Sequence, residues 1–195
     1  MASFPVAVAV AARPYPGEAV NGDAWQVDRH GSVCRIALVD GLGHGPQAAA
    51  AAMAAVAALA AEPALNPLDA IHCCHDALAG TRGAALLIAS IDVSRGQLIV
   101  AGAGNVEARL CQDGGAKQLM TDRGIVGSVL PRLRPVEMAL ASEWLLLMYT
   151  DGIKRRFDTQ LLLEATPGGD SLAQALLAGW ARTTDDATVL VAQPG

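Results

Sequence analysis

The sequence is short of charge and of aromatic rings. It also has no cysteine pair at CxxC spacing, little clustered base and no apolar run of membrane length. Charged residues are 17% and aromatics 4% of the 195 residues, both below ordinary usage. The 14 Lys and Arg are outnumbered by 19 Asp and Glu, for a net charge of -5 and a pI near 5.2. Gripping a phosphate backbone needs clustered cations, so nucleic acid is not expected as a partner. The longest apolar stretch, 48–61, is nearly all alanine and shorter than the roughly 20 residues a membrane span requires. Residues 1–12 are apolar but lack a positive segment ahead of them, and Arg13 follows rather than precedes, so no leader peptide is expected. Cys34, Cys73, Cys74 and Cys111 read as reduced thiols, which places the protein in the cytoplasm.

What is present is apolar volume in small units. Hydrophobic residues make up 52% and mean hydropathy is +0.33, yet alanine alone is about a fifth of the chain. This length suits one domain with one full core, expected to be monomeric. Strand-like pieces are read at 5–12, 24–29 and 32–39. Helices follow over 46–61, with Pro46 in the first turn, and over 67–78, with Asn66 as cap. Short strands are then read at 84–92, 97–103, 106–112, 117–120, 133–140 and 144–149, with turns at Ser-Arg-Gly and Asp-Gly-Gly. A helix over 171–182 and a strand over 187–192 close the chain. This order is α+β, a single layered domain over 1–195, and not a β-α-β alternation.

Acidic residues recur where strands end. Asp23 lies in Asn21-Gly22-Asp23, Asp40 ends a strand before a glycine loop, Asp151 ends another before Gly152, and Asp185-Asp186 precede the last strand. A rigid strand end holds a carboxylate at the solvent boundary, and adjacent glycine lets backbone carbonyls approach an ion. Mg²⁺ and Mn²⁺ favour such oxygen ligands, and two ions sharing a bridging carboxylate form a site for in-line phosphoryl displacement. Asp beside Gly is also an ordinary turn signal, so the order of the set, not any one member, carries this reading.

Two rival motifs are weaker. The glycine loop Gly41-Leu42-Gly43-His44-Gly45 follows a strand as a dinucleotide fingerprint would, but Pro46 occupies the sixth position. The acid at the right distance, Glu62, falls at a helix end rather than a strand end. His72-Cys73-Cys74-His75 is one contiguous run with no second ligand pair at zinc spacing, and reads as core packing with exposed imidazoles.

Taken in order, Asn21-Gly22-Asp23, Val39-Asp40-Gly41-Leu42-Gly43-His44-Gly45, Gly102-Ala103-Gly104-Asn105, Tyr149-Thr150-Asp151-Gly152 and Asp185-Asp186-Ala187-Thr188 resemble the PPM (protein phosphatase 2C-like) serine/threonine phosphatases. The bacterial SpoIIE-type branch is the most similar. The resemblance covers roughly 23–191 and implies a four-layer α/β/β/α sandwich of two antiparallel sheets flanked by helices. It further implies two Mn²⁺ or Mg²⁺ ions at one end of the sandwich. Asp40 would bridge them and the Gly41 carbonyl would bind one. Asp151 and Asp185 would complete the other, and Asp23 would act directly or through water. A bridging hydroxide would attack phosphorus in line, with no phosphoenzyme, which makes Asp40 and Asp23 the catalytic pair. The implied substrates are phosphorylated STAS-domain proteins of a stressosome-type stress-signalling module.

The chain departs from that pattern at three places. Leu42 stands where eukaryotic relatives carry a histidine; His44, two residues on, is either a substitute or an exposed loop residue. Ala19 and Val20 stand where a phosphate-binding arginine is expected, with Arg13 a distant stand-in. Asn105 replaces an aspartate that serves a third metal in many relatives. Lys154-Arg155-Arg156, just past Asp151-Gly152, is either a solvated turn or a patch for a phosphorylated acidic partner, so His44, Lys154 and Arg155 are the candidate substrate contacts. The alternative to an enzyme is a member of the fold that sequesters a partner without turnover. Retention of Asp23, Asp40, Asp151 and Asp185 argues for catalysis.

Overall fold

A computed structural model describes residues 6–130, 132–159, 162 and 168–195. Its chain order is β1 (Val6–Arg13), β2 (Asp23–His30), β3 (Val33–Gly41), α1 (Pro46–Ala61), α2 (Pro67–Ala77), β4 (Ala84–Asp92), β5 (Gln97–Ala103), β6 (Glu107–Gln112), β7 (Gly115–Leu119), β8 (Val136–Ala139), β9 (Trp144–Tyr149), α3 (Gly169–Trp180) and β10 (Ala187–Pro194). The strands form two five-stranded sheets, β1-β10-β9-β6-β7 and β2-β3-β4-β5-β8. All named pairings are antiparallel.

Alternation within the strands builds three apolar layers. Leu38, Leu87 and Leu98 of one sheet meet Leu110, Leu146 and Leu190 of the other. Each such leucine contributes roughly 1.5–3 kcal/mol by leaving water. Val39, Leu86 and Ile88 point the opposite way and pack under α1 and α2. Leu147, Val189 and Val191 pack under α3. The result is the expected α/β/β/α sandwich.

The alanines of α1 explain how closely this helix lies on its sheet. Ala48, Ala51, Ala52, Ala55 and Leu59 form its buried stripe. The Ala48 carbonyl occupies the place a Cβ on Gly41 would take, so that position admits only glycine. At the other end of α1 the buried Arg35 donates to the carbonyls of Leu59 (2.6 Å) and Glu62 (2.7 Å). The same guanidinium pairs with Asp28 at 2.5 Å, so it satisfies carbonyls that a helix end otherwise leaves open.

Asn66 caps α2 by accepting the Asp69 amide at 3.0 Å, as read. Other boundaries move for local reasons. β7 begins at Gly115, ahead of the expected 117, because Asp113 and Gly114 both take positive φ and turn the chain tightly enough for Gln112 to pair with Gly115. β8 is shorter than the expected 133–140, since Pro135 has no amide to donate and Arg134 is held by Asp122 instead. α3 begins and ends two residues early. It follows the positive-φ Gly168, and Ala181 leaves in an extended conformation to bridge Ile153. Pro5, the first residue of the earliest expected strand, lies outside the described residues.

Candidate active site

Antiparallel registry places the acids together. Asp23 opens β2 directly across from Asp40 in β3. Asp151 follows β9 and Asp185 precedes β10, which are neighbours in the other sheet. Asp40 sits where the two sheets' loops meet, and its carboxyl is pushed up to about 9, first by burial and then by Asp23, Asp151, Asp185 and Asp186. Asp23, 5% exposed, is pushed up to about 7 by burial, with Asp186 and Asp185 adding and the hydroxyls of Thr188 and Thr150 opposing. The half-buried Asp185 is also raised, by burial and then by Asp151. The shifts share two causes in the same order: burial away from water first, and then the neighbouring carboxylates.

Short polar contacts fix this arrangement. Thr150 Oγ1 donates to Asp23 Oδ2 at 2.9 Å and accepts the Thr188 amide at 3.1 Å. Thr188 Oγ1 is buried beside the same carboxylate without a well-aligned partner, so the Thr150 hydroxyl makes the well-formed bond to Asp23. Asp186 is turned inward: Oδ1 accepts the amides of Tyr15 and Gly22, each at 2.9 Å, while Oδ2 is buried and unpaired. It anchors the loop that carries Asp23, leaving its neighbour Asp185 at the half-buried surface. Gly152 is forced by close approach, since the Asp186 carbonyl occupies the place of a Cβ. Asn105 Nδ2 donates to Asp151 Oδ2 at 2.6 Å.

The structure thus brings Asp23, Asp40, Gly41, Asp151 and Asp185 to one end of the sandwich. His44 is half-exposed, stacked on Tyr15 at 4.3 Å, with Nδ1 3.0 Å from Glu18 Oε1. Lys154 is exposed, its amide bound to the Trp180 carbonyl at 2.9 Å. Arg155 pairs with Glu107 and lines a cleft of about 360 Å³ with Asp151, Arg182, Thr184 and Asp185. Arg13 is not a phosphate ligand in waiting: its guanidinium holds the carbonyls of Arg182 and Asp185. Sequence reasoning missed Arg182, whose Nε donates to the Asp151 carbonyl at 2.8 Å. In the sequence it stands at the end of the expected helix over 171–182, and the β9–β10 pairing carries it to the acids.

All the candidate donors are hard oxygens. Among the described residues no three acidic, histidine or cysteine side chains close into a cage around one point. Carboxylates and a backbone carbonyl, with neither thiolate nor imidazole among them, are the ligand chemistry of Mg²⁺ or Mn²⁺ and differ from the donor set of a structural zinc site. The residues therefore fit hard divalent cations.

The family model described as Stage II sporulation protein E (SpoIIE) matches residues 30–194. The chain belongs to the SpoIIE family. Among solved structures, a chain from work on the bacterial stressosome as a modular system adapted to control secondary messenger signalling is 30% identical. It matches with TM-score 0.90, over 96% of this chain and 99% of that one. RsbX, solved in complex with magnesium, is 20% identical, with TM-score 0.86 over 97% of this chain and 96% of its own. The PP2C phosphatase domain of SpoIIE from Bacillus subtilis, solved with a fragment of its regulatory domain, is 20% identical, with TM-score 0.81 over 98% of this chain and 63% of that one. No curated protein sequence matches. Membership of the SpoIIE family makes the chain a PP2C-type serine/threonine phosphatase. Among the described residues no helix is long and apolar enough to cross a membrane.

Proposed function

We propose that this single-domain SpoIIE-family chain is a cytoplasmic, monomeric phosphatase that uses two Mg²⁺ or Mn²⁺ ions. Its proposed substrates are phosphoserine or phosphothreonine on STAS-domain proteins of a stressosome-type module. One observation supports the metal reading: the β2–β3 register sets Asp23 directly across from Asp40, where Asp151 and Asp185 add their charge. The partner reading is supported by the stressosome setting of the 30% identical chain and by the likeness to RsbX.

Asp40, central among the acids, would bridge the ions. The Gly41 carbonyl and the carboxylates of Asp23, Asp151 and Asp185 would hold them. Bound cations at such a site supply an acidified water and a counter-charge for the phosphoryl oxygens. The chain's own residues do the rest. Thr150 fixes the rotamer of Asp23, Asn105 fixes that of Asp151, and Asp186 clamps the loop before β2. Arg155 and Arg182, in the cleft beside Asp151 and Asp185, orient the phosphoryl group.

The test is phosphate release from a phosphoserine protein with Mn²⁺, with EDTA, and with Asp40→Asn. Turnover is expected with Mn²⁺, absent with EDTA, and reduced at least about a hundredfold in the variant, the scale on which losing a group that stabilises the transition state is felt. A folded protein that releases no phosphate with any divalent ion is instead a partner-sequestering module.

A further inference from the structure

Beside the acidic end runs a larger groove, about 760 Å³, of which the phosphatase reading uses only Asn105 and Arg155 at one edge. Its size is in the range of built ligand sites. It is continuous with the acids at three points. Ala85 of its floor pairs in register with Asp40. Asn105 of its rim donates to Asp151. Arg155 lines both the groove and the smaller cleft.

The groove's charge is opposite to that of the molecule. Three guanidiniums, Arg109, Arg123 and Arg155, face it with one carboxylate, Glu107. Glu107 is already neutralised by Arg155, the Tyr149 hydroxyl (2.9 Å) and the Gln118 amide (3.1 Å). Arg109 is built in, bonded to the carbonyls of Phe157 (3.3 Å) and Arg155 (2.6 Å) and lying 4.2 Å over the Phe157 ring. Arg123 differs: it is exposed and makes no hydrogen bond or ion pair among the described residues. Three residues before it, Met120 is 73% exposed and lines the groove together with Leu42 and Ile125.

The segment presenting Met120 and Arg123 is rigid. Between them Asp122 is buried and takes three hydrogen bonds from Arg134, the amide at 2.8 Å, Nε at 2.9 Å and the terminal guanidinium nitrogen at 2.5 Å. The Asp122 main chain is tied to the end of β5 as well, its amide donating to the Gly102 carbonyl at 3.0 Å and its carbonyl accepting the Gly104 amide at 2.9 Å. The braced backbone thus holds one uncompensated cation and one exposed methionine at fixed places along the groove.

We propose that this groove reads the chain flanking the phosphorylated residue. It takes an extended, acidic segment, with a carboxylate on Arg123 and an apolar side chain on Met120. The proposal rests on the phosphatase reading for the position of the phosphoryl group. It adds the substrate's flanking chemistry, and charge complementarity selects an acidic peptide over a basic one.

The experiment compares two phosphoserine peptides, identical except for acidic or basic flanks, in turnover with Mn²⁺ and in fluorescence anisotropy with EDTA. The wild type should prefer the acidic peptide in both. Arg123→Glu should lower affinity for it about fivefold or more and move the basic peptide the other way, the scale of one well-placed exposed charge. Met120→Ser should weaken both peptides alike. Both positions are exposed, and thermal melts confirm folding. Equal binding of the two peptides by wild type overturns the groove even if turnover is normal, as does Arg123→Glu acting equally on both. Absence of turnover with the anisotropy preference intact overturns the phosphatase reading and leaves the groove standing.

Discussion

Thr150 shows how much of the site depends on one hydroxyl. It donates to Asp23 and accepts from the Thr188 amide, both in buried surroundings. Thr150→Val keeps the shape and removes both bonds, leaving the buried Asp23 carboxylate without its well-aligned donor. Partners that orient metal ligands are worth 10–100-fold in metal affinity. A calorimetric Mn²⁺ titration of Thr150→Val is therefore expected to show roughly that loss. Unchanged affinity would mean that Asp23 is held by the fold alone. Asn105 raises the opposite case. Its amide donates to Asp151 at 2.6 Å, so Asn105→Asp sets two carboxylates against each other. In EDTA that variant should melt below wild type, and Mn²⁺ should raise its midpoint by more than it raises wild type's. Identical midpoints in EDTA would show that the hydrogen bond contributes nothing to the metal-free state.

At the scale of elements, legibility followed sequence distance. Asp23, Asp40, Asp151 and Asp185 could be found because each stands at a strand end, three of them beside a glycine, a pattern visible within a few residues. The bonds that orient them could not. Thr150 reaches Asp23 across 127 residues, and Asp186 reaches Gly22 across 164. Only the packing of the sheet that holds β9 and β10 against the sheet that holds β2 and β3 brings them together. Arg35 was hidden for a different reason. It occupies a strand position that reads as a polar interruption, yet it is buried and closes the C-terminal end of α1. Breaking a buried pair from one side costs about 3–5 kcal/mol. Arg35→Ala is thus expected to lower the melting midpoint by roughly 10 °C, at the 2–4 °C per kcal/mol typical of this size. Arg35→Ala with Asp28→Ala should recover part of the loss. A shift under a few degrees in the single variant would show that α1 ends as well on water as on the guanidinium.

The whole molecule pairs three dry apolar layers with one end where acids are held against their own repulsion. Asp40 is raised to about 9 and Asp23 to about 7, and Asp185 is raised as well. For a carboxyl raised in the folded state, the native protein binds more protons than the unfolded chain. The contribution is then fully present below the unfolded value near 3.8 and is lost as pH climbs through the folded values. Metal-free protein should therefore lose stability steadily from about pH 4 to pH 9, most of it through Asp40 and Asp23. Cations that bind only the folded state displace those protons and reverse the trend. The gap between midpoints in Mn²⁺ and in EDTA is expected to widen from pH 5.5 to pH 8.5. Asp40→Asn removes one of the crowded charges, so it should melt above wild type in EDTA at pH 8.5 while losing most of the gain from Mn²⁺. A gain from Mn²⁺ that is the same at both pH values would mean that the ions bind away from these acids. A metal-free midpoint that rises with pH would mean that their crowding does not govern stability.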